Sequence, residues 1–443
     1  MRNHFILFLL LLFSISASAQ EAKSFTLEEA IAYALTNSFE VKNAHIVIAD
    51  ADQLIKENKA TGMPQVSAAL GYSYSFKLPE TVVPAGLFSG MPPVDGEFEK
   101  LPAFGAKNRI TATLDASFLV FDYSYLTALK AARTAKTMAF SQKQQAEVMV
   151  KNQVRAAYFP PLILEESKKT LQKNIANLEK LFFETNELYK AGFVEQLDVD
   201  RLELSLANLK TEVNNLDRQK ELVYNVLKLT MNYPADQPIA IADDINRLLV
   251  DADSGDLEGN INYSTRAEYR VAQQGQILQD LNVSYIKSTY YPNLVTFAQY
   301  QQTGQSAKFF QDNLWTDLGI VGFNINVPIY SGGAKRAKLQ RAKLDLEKSN
   351  NQIKSLERVI WMEIGNARIA YRNAVQRVSD QQRNLDLAQR IYDTTQIKYK
   401  EGVGSSLEIT QAEQALFQSQ QNVIQARYDL LLAKVDLDKA LGK

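Results

Sequence analysis

Side chains able to run a reaction are scarce in this sequence. Its 443 residues hold no Cys and two His. Without a thiol there is no disulfide, no thiolate metal ligand and no Cys nucleophile. His4 lies in an apolar leader, so a zinc site or a Ser-His-Asp triad would have to be built around His45. No pair of carboxylates stands out for acid-base work. Asp251-Ala-Asp-Ser-Gly255 hints at a calcium loop, but its Gly comes one position early and Asn262 stands where the terminal Glu belongs. Gly402-Val-Gly404 and Ser331-Gly-Gly-Ala-Lys335 both lack the full spacing of a phosphate loop. Neither an enzyme nor a cofactor is expected. The 49 Lys+Arg against 50 Asp+Glu give no electrostatic case for nucleic acid either.

What the spacing does supply is repetition, the feature to seek first in a chain of this length. Gly192-Phe-Val-Glu-Gln-Leu197-Asp198 aligns with Gly402-Val-Gly404-Ser-Ser-Leu407-Glu408, and Tyr189 with Tyr399. Met63-Pro64-Gln65 resembles Tyr291-Pro292-Asn293 upstream. Each half reads helix, strand, loop, strand, very long helix, Gly turn, long helix. The expected organisation is a signal peptide over 1–19, a first repeat over 20–231, a linker over 232–262 and a second repeat over 263–443. The leader rests on Arg2, the apolar run from Phe5 to Ile15 and Ala17-Ser18-Ala19 as a cleavage site. Thr26-Leu-Glu-Glu29 predicts a capping box for the first helix.

Four strands are predicted, at about 64–77, 108–121, 292–301 and 316–328. In the first, Val66, Ala68, Leu70, Tyr72, Tyr74 and Phe76 alternate with Ser67, Ala69, Gly71, Ser73 and Ser75. Val321, Phe323, Ile325 and Val327 alternate with Gly322, Asn324 and Asn326, whereas Val295 and Phe297 sit on the polar phase. One apolar and one small polar face, over ~9–11 residues, suit a tilted membrane strand with a wet lumen. After residue 20 no stretch reaches ~18 consecutive apolar residues, so a membrane crossing has to be a β-barrel. Long helices are predicted over 123–190, 195–230, 333–400 and 405–441. Ile409, Leu416, Val423, Leu430 and Leu437 are spaced by seven, with Ala412, Ser419, Ala426, Ala433 and Ala440 three residues later. That is a coiled-coil seam lined by small residues. Pro160 and Pro161 fall inside the first long helix, where a kink or local unwinding near Phe159 is expected.

Four strands cannot close a barrel, because single-chain barrels begin at about eight. The strands must be shared between copies, two giving a filled interior and three a channel. The fold class expected is therefore mainly α with membrane β: long coiled-coil helices plus four strands per chain in a barrel shared by at least two copies, and by three if the lumen conducts.

The whole chain resembles the TolC-type outer-membrane efflux proteins. The resemblance is carried by Phe25-Thr-Leu-Glu-Glu-Ala-Ile-Ala-Tyr-Ala-Leu35, by the strand openings at Pro64 and Pro292, and by Val327-Pro-Ile-Tyr-Ser-Gly-Gly333 at a strand-to-helix corner. Tyr189-Lys-Ala-Gly192 and Tyr399-Lys-Glu-Gly402 match the two helix-hairpin tips, and Ala426-Arg-Tyr-Asp429 the last helix. Leu119-Val-Phe-Asp-Tyr-Ser124 departs from the family by lacking the Gly-Gly of that corner. The resemblance implies a homotrimer in the outer membrane, with a shared twelve-stranded transmembrane β-barrel and a long periplasmic tunnel formed by a coiled-coil helical barrel. It also implies a periplasmic adaptor (membrane fusion) protein and an inner-membrane pump as partners. It makes Glu408 a tunnel-narrowing acid, with Gln411 where a second acid would stand one turn on. Three Glu408 carboxylates around one axis would repel one another and gather protons. It pairs Tyr399 with Asp198 as a latch, Gly404 replacing the Arg of that latch. Gly192, Gly402, Gly404, Leu197 and Leu407 mark the tips where an adaptor would dock. The rival reading is a non-channel periplasmic coiled-coil scaffold or adaptor with small soluble hairpins.

One pattern has no place in the duct. Lys130, Arg133 and Lys136, then Lys335, Arg336, Lys338, Arg341 and Lys343, follow the second and fourth strands at helix starts, where cations are disfavoured. Outer-membrane lipid headgroups would explain them, as would a solvated helix face.

Overall fold

The computed structural model describes residues 23–78, 80–86, 96–101, 105–252, 259, 261–308 and 311–443. The signal-peptide reading at 1–19 lies outside them. In chain order the elements are β1 (Lys23–Phe25), α1 (Leu27–Asn37), α2 (Phe39–Ala60), β2 (Gln65–Tyr74), β3 (Thr81–Pro84), β4 (Phe98–Leu101), β5 (Asn108–Phe121) and α3 (Tyr123–Lys190). Then come α4 (Gln196–Met231), β6 (Ile239–Ile241), α5 (Ile245–Ala252), α6 (Ala267–Ser288), β7 (Asn293–Ser306), β8 (Leu314–Asn326), α7 (Ala334–Lys400) and α8 (Ser406–Leu441). No helix among the described residues is long and apolar enough to cross a membrane. Two compact units emerge, one of 1–48, 138–274 and 350–443, the other of 49–137 and 275–349.

The second unit holds an antiparallel sheet in the order β2-β5-β7-β8. Its register gathers the apolar phases of the four strands onto one face. Leu70 pairs with Ala112, Ala68 with Leu114, Leu114 with Tyr300, and Ala298 with Val321. The opposite face carries Ser67 beside Asp115 and Asp115 beside Gln299, whose amide donates to the Asp115 carboxylate at 2.7 Å. An irregularity between Leu119 and Phe121 makes Val120 the extra residue on β5 and brings Phe121, rather than Val120, opposite Leu294 on the apolar face. Both faces of β8 lie open, Val321 at 84% exposure. Gly322 exists for Phe297: a Cβ there would stand 3.0 Å from the ring. That is how Phe297, out of phase in its own strand, is accommodated.

The strands differ from expectation at their ends. The first stops at Tyr74 rather than 77, the third runs on to Ser306, and the fourth lies at 314–326. The segment 79–107 contributes a separate hairpin, β3 against β4. The segment 232–262, expected as a linker, holds β6 and α5. β6 pairs in parallel with β1, a partner more than two hundred residues away that local sequence cannot announce.

In the first unit the seam is buried as spaced: Ile409, Leu416, Val423, Leu430 and Leu437 on α8, and Leu202, Leu209 and Leu216 on α4. The capping box forms, with the Glu29 amide donating to the Thr26 hydroxyl and the Thr26 amide to the Glu29 carboxylate. The expected unwinding at Pro160 and Pro161 does not occur; α3 stays helical through both. Burial holds it there. Tyr158, Phe159 and Leu162 sit in one apolar cluster with Phe25, Leu227 and Met231. The Tyr158 hydroxyl bonds Phe25 O at 2.8 Å and Asp243 Oδ2 at 3.0 Å. Burial first, and then the Asp243 charge, push its pKa up. Asp243 also accepts from Leu27 N at 2.7 Å. Tyr158→Phe should destabilise the helical unit by about 1–2 kcal/mol, read as a lower thermal midpoint by circular dichroism with unchanged helix content at room temperature.

Candidate functional site

The residues singled out by the repeat converge on the two helix-hairpin turns of the first unit. Both turns end a helix in the same way. Phe193 N bonds Leu188 O and Gly192 N bonds Tyr189 O, each at 2.9 Å. Val403 N bonds Lys398 O at 3.0 Å and Gly402 N bonds Tyr399 O at 3.1 Å. This pair of bonds is the Schellman closure, which needs a left-handed residue at its centre. Gly192 (φ 79°) and Gly402 (φ 75°) supply it. Gly404 is small for another reason: a Cβ there would lie 3.0 Å from the Tyr399 amide nitrogen. Leu197 and Leu407 are about half exposed, and Phe193 and Val403 are 77% exposed, so the turns present apolar side chains outward.

Glu408 is exposed in the first turn of α8, its amide donating to the Ser405 hydroxyl at 3.2 Å. The helix dipole favours an acid at that position. Gln411 is exposed as well. Tyr399 and Asp198 are not hydrogen-bonded to each other. Tyr399 is buried and its hydroxyl pairs with Thr185 Oγ1 at 3.3 Å. Asp198 instead accepts from the Ser406 hydroxyl and from Glu195 N at 3.3 Å. Thr185 on α3 takes the Tyr399 hydroxyl, and the buried Ser406, the first residue of α8, takes the Asp198 carboxylate. The Asp198 charge still acts on Tyr399, whose pKa is raised by burial first and by Asp198 after the opposing Thr185 bond.

Ser406 begins a ladder that sequence reasoning missed. Arg201 donates to Ser406 Oγ at 3.0 Å. Seven residues along α8, Glu413 accepts from Ser205 at 3.1 Å. Seven further, Gln420 accepts from Asn174 at 2.6 Å. The rungs follow the apolar heptads one position after Ala412 and Ser419, and that shared period was the available signal. Each rung differs, so a slip of one heptad would bring Glu413 to Asp198 and set acid against acid.

Glu413 is the unusual rung. It borders a hollow of about 190 Å³ with Lys173, Asn174, Asn177, Gln389, Tyr392 and Gln420. Burial drives its pKa up to about 7, against the pull of the Ser205 hydroxyl. Burial, then the charges of Glu413 and Asp393, push the Tyr392 phenol up to about 12. An unfolded Glu releases its proton near 4.5, the folded one near 7. Folding is therefore opposed progressively from pH 4.5 to 7 and by a constant amount above, about 3 kcal/mol. Glu413→Gln should raise the thermal midpoint at pH 8 and leave it unchanged at pH 4, measured by circular dichroism melts at both pH values.

Among the described residues no group of His, Asp and Glu is placed to hold a metal ion. The segment 251–255, rejected above as a calcium loop, falls largely outside them. The arrangement holds helices together and offers exposed turns.

Residues 30–231 and 266–443 match the family described as outer membrane efflux protein. The toluene efflux pump outer membrane protein TtgF of Pseudomonas putida is 20% identical over 422 residues, covering 94% of this chain and 83% of its own. The outer membrane protein TolC of Escherichia coli is 22% identical over 357 residues, covering 76% and 70%. Among solved structures, the outer membrane protein VceC of Vibrio cholerae superposes with a TM-score of 0.69 at 18% identity, covering 94% of this chain and 96% of that one.

Proposed function

The chain belongs to the outer membrane efflux protein family, and we propose that three copies build one passive duct from the periplasm to the outside. It is an outer-membrane protein of efflux, a channel component rather than a pump. The observation that carries the trimer is the sheet. Among the described residues its edge strands β2 and β8 each have one side unpaired, and Leu70, Leu114, Tyr300 and Val321 on its apolar face are exposed. Pairing β8 of one copy with β2 of the next closes twelve strands and satisfies both edges. The apolar face then meets lipid, and the face bearing Ser67, Thr113, Asp115 and Gln299 lines water. A periplasmic scaffold has no use for such a sheet, which in water would be an aggregation surface.

The helices continue the duct, and their hairpin turns form its inner end. Three Glu408 and three Gln411 side chains ring the axis there, favouring cations and repelling one another. Tyr399 with Thr185, and Asp198 with Ser406, hold the ring narrow. Gly192, Gly402 and Gly404 shape the turns, and Leu197 and Leu407 offer apolar contacts to a periplasmic adaptor that couples the duct to an inner-membrane pump. Nothing is catalysed, so opening is the event to explain: an adaptor that binds the turns better when the helices are splayed shifts the population toward open.

Purified protein in planar bilayers tests this. Wild type should give discrete single-channel currents and run as a heat-modifiable trimer; a detergent-free, soluble monomer without current would refute it. Tyr399→Phe and Thr185→Val each remove one hydrogen bond, worth about 1 kcal/mol. Each should raise the open fraction by about fivefold at neutral pH.

A further inference from the structure

Cations crowd the helix ends nearest the sheet in the unit formed by 49–137 and 275–349. α3 starts two residues after β5 and carries Lys130, Arg133 and Lys136 well before its first acid, Glu147. α7 follows β8 and carries Lys335, Arg336, Lys338, Arg341 and Lys343 before its first acid, Asp345. α2 ends with Lys56 and Lys59 just before β2, and α6 with Lys287 just before β7. The starts of α3 and α7 are the positive ends of their dipoles, so local helix physics works against this placement.

Internal partners account for few of these charges. Lys136 reaches Asp52 at 2.6 Å. Lys335 donates to Thr289 O and stands over the Tyr290 ring, 5.4 Å from its centroid. The side chains of Lys130, Arg133, Arg336, Lys338, Arg341 and Lys343 meet no hydrogen-bond or ion-pair partner among the described residues. Tyrosines lie between the strands and these cations. Tyr123 packs on Tyr291 with ring centroids 5.5 Å apart, and Tyr330 is 89% exposed. Apolar strand, tyrosine, then cation is the order hydrocarbon, interface and headgroup phosphate in one leaflet.

We infer that this cation band binds the phosphates of anionic phospholipids in the leaflet on the helical side of the membrane. The inference rests on the reading of the strands as membrane-spanning. Lipid anions would satisfy the charges that the protein leaves open and fix how deeply the sheet sits. Six unpaired cations per copy exceed what solubility alone asks of a chain with a net charge of −1.

Delipidated full-length protein, offered equal amounts of phosphatidylglycerol and phosphatidylcholine, tests it by native mass spectrometry. Wild type should retain phosphatidylglycerol in preference by roughly tenfold or more, and high salt should erase the preference. Arg336→Glu/Lys338→Glu/Arg341→Glu/Lys343→Glu should abolish it. If that variant fails to reach the membrane, the corresponding four Gln substitutions decide the matter in the same way. Equal retention of both lipids by wild type, or an undiminished preference in the folded variant, overturns the inference. So does binding of anionic cell-wall fragments, rather than phosphatidylglycerol, that depends on these four residues. Membrane fractionation separates the premise: wild type that does not sediment with membranes sinks the spanning strands themselves, whereas membrane-bound protein indifferent to phosphatidylglycerol sinks the lipid site alone.

Discussion

Hydrocarbon gives a peptide group nothing to bond to, and each unpaired one costs several kcal/mol there. A sheet of four strands with two open edges is therefore incomplete wherever it meets lipid. The organisation of the β2-β5-β7-β8 unit makes sense against that cost. Its register places Leu70, Leu114 and Val321 on one face and Ser67, Asp115 and Gln299 on the other. The irregularity after Leu119 puts Phe121 on the apolar face opposite Leu294. Such consistency is what closure with further copies requires, since one misphased strand would turn lipid-facing side chains into the lumen.

The helical unit answers a different need. Its seam of Leu, Ile, Val and Ala is apolar and repetitive, so it holds helices together without fixing which turn faces which. The rungs at Ser406, Glu413 and Gln420 supply that choice. Their partners on α3 and α4 are Asp198 with Arg201, Ser205 and Asn174. The cost of this specificity is visible at Glu413, a buried carboxyl that has the Ser205 hydroxyl as its partner and, among the described residues, no ion pair. Protonation relieves it, which ties the packing of the bundle to acidity.

Much of this was legible in the residues. Alternation marked the strand at 108–121 and the heptads marked the long helices because both periods repeat many times over. The short pairings were not legible: Thr81–Pro84 and Ile239–Ile241 offer too few residues for a period, and their partners are set by tertiary contact. Pro160 and Pro161 misled because helix propensity is a local quantity, while Tyr158, Phe159 and Leu162 are held by the core. At the candidate site the turns were readable from Gly192 and Gly402. The partner of Tyr399 was not, since Thr185 lies far away in sequence and carries no repeat signal.

The parallel pairing of Lys23–Phe25 with Ile239–Ile241 has a temporal side. Phe25 also accepts from Tyr158, and Leu27 donates to Asp243, so the contacts of this strand are complete only when more than half of the chain is present. During synthesis Lys23–Phe25 is made long before Ile239–Ile241 and settles only after it. Contacts so distant in sequence slow assembly. For that interval an extended, apolar-tipped strand is open to capture, and an escort that holds unfolded chains would find its grip there.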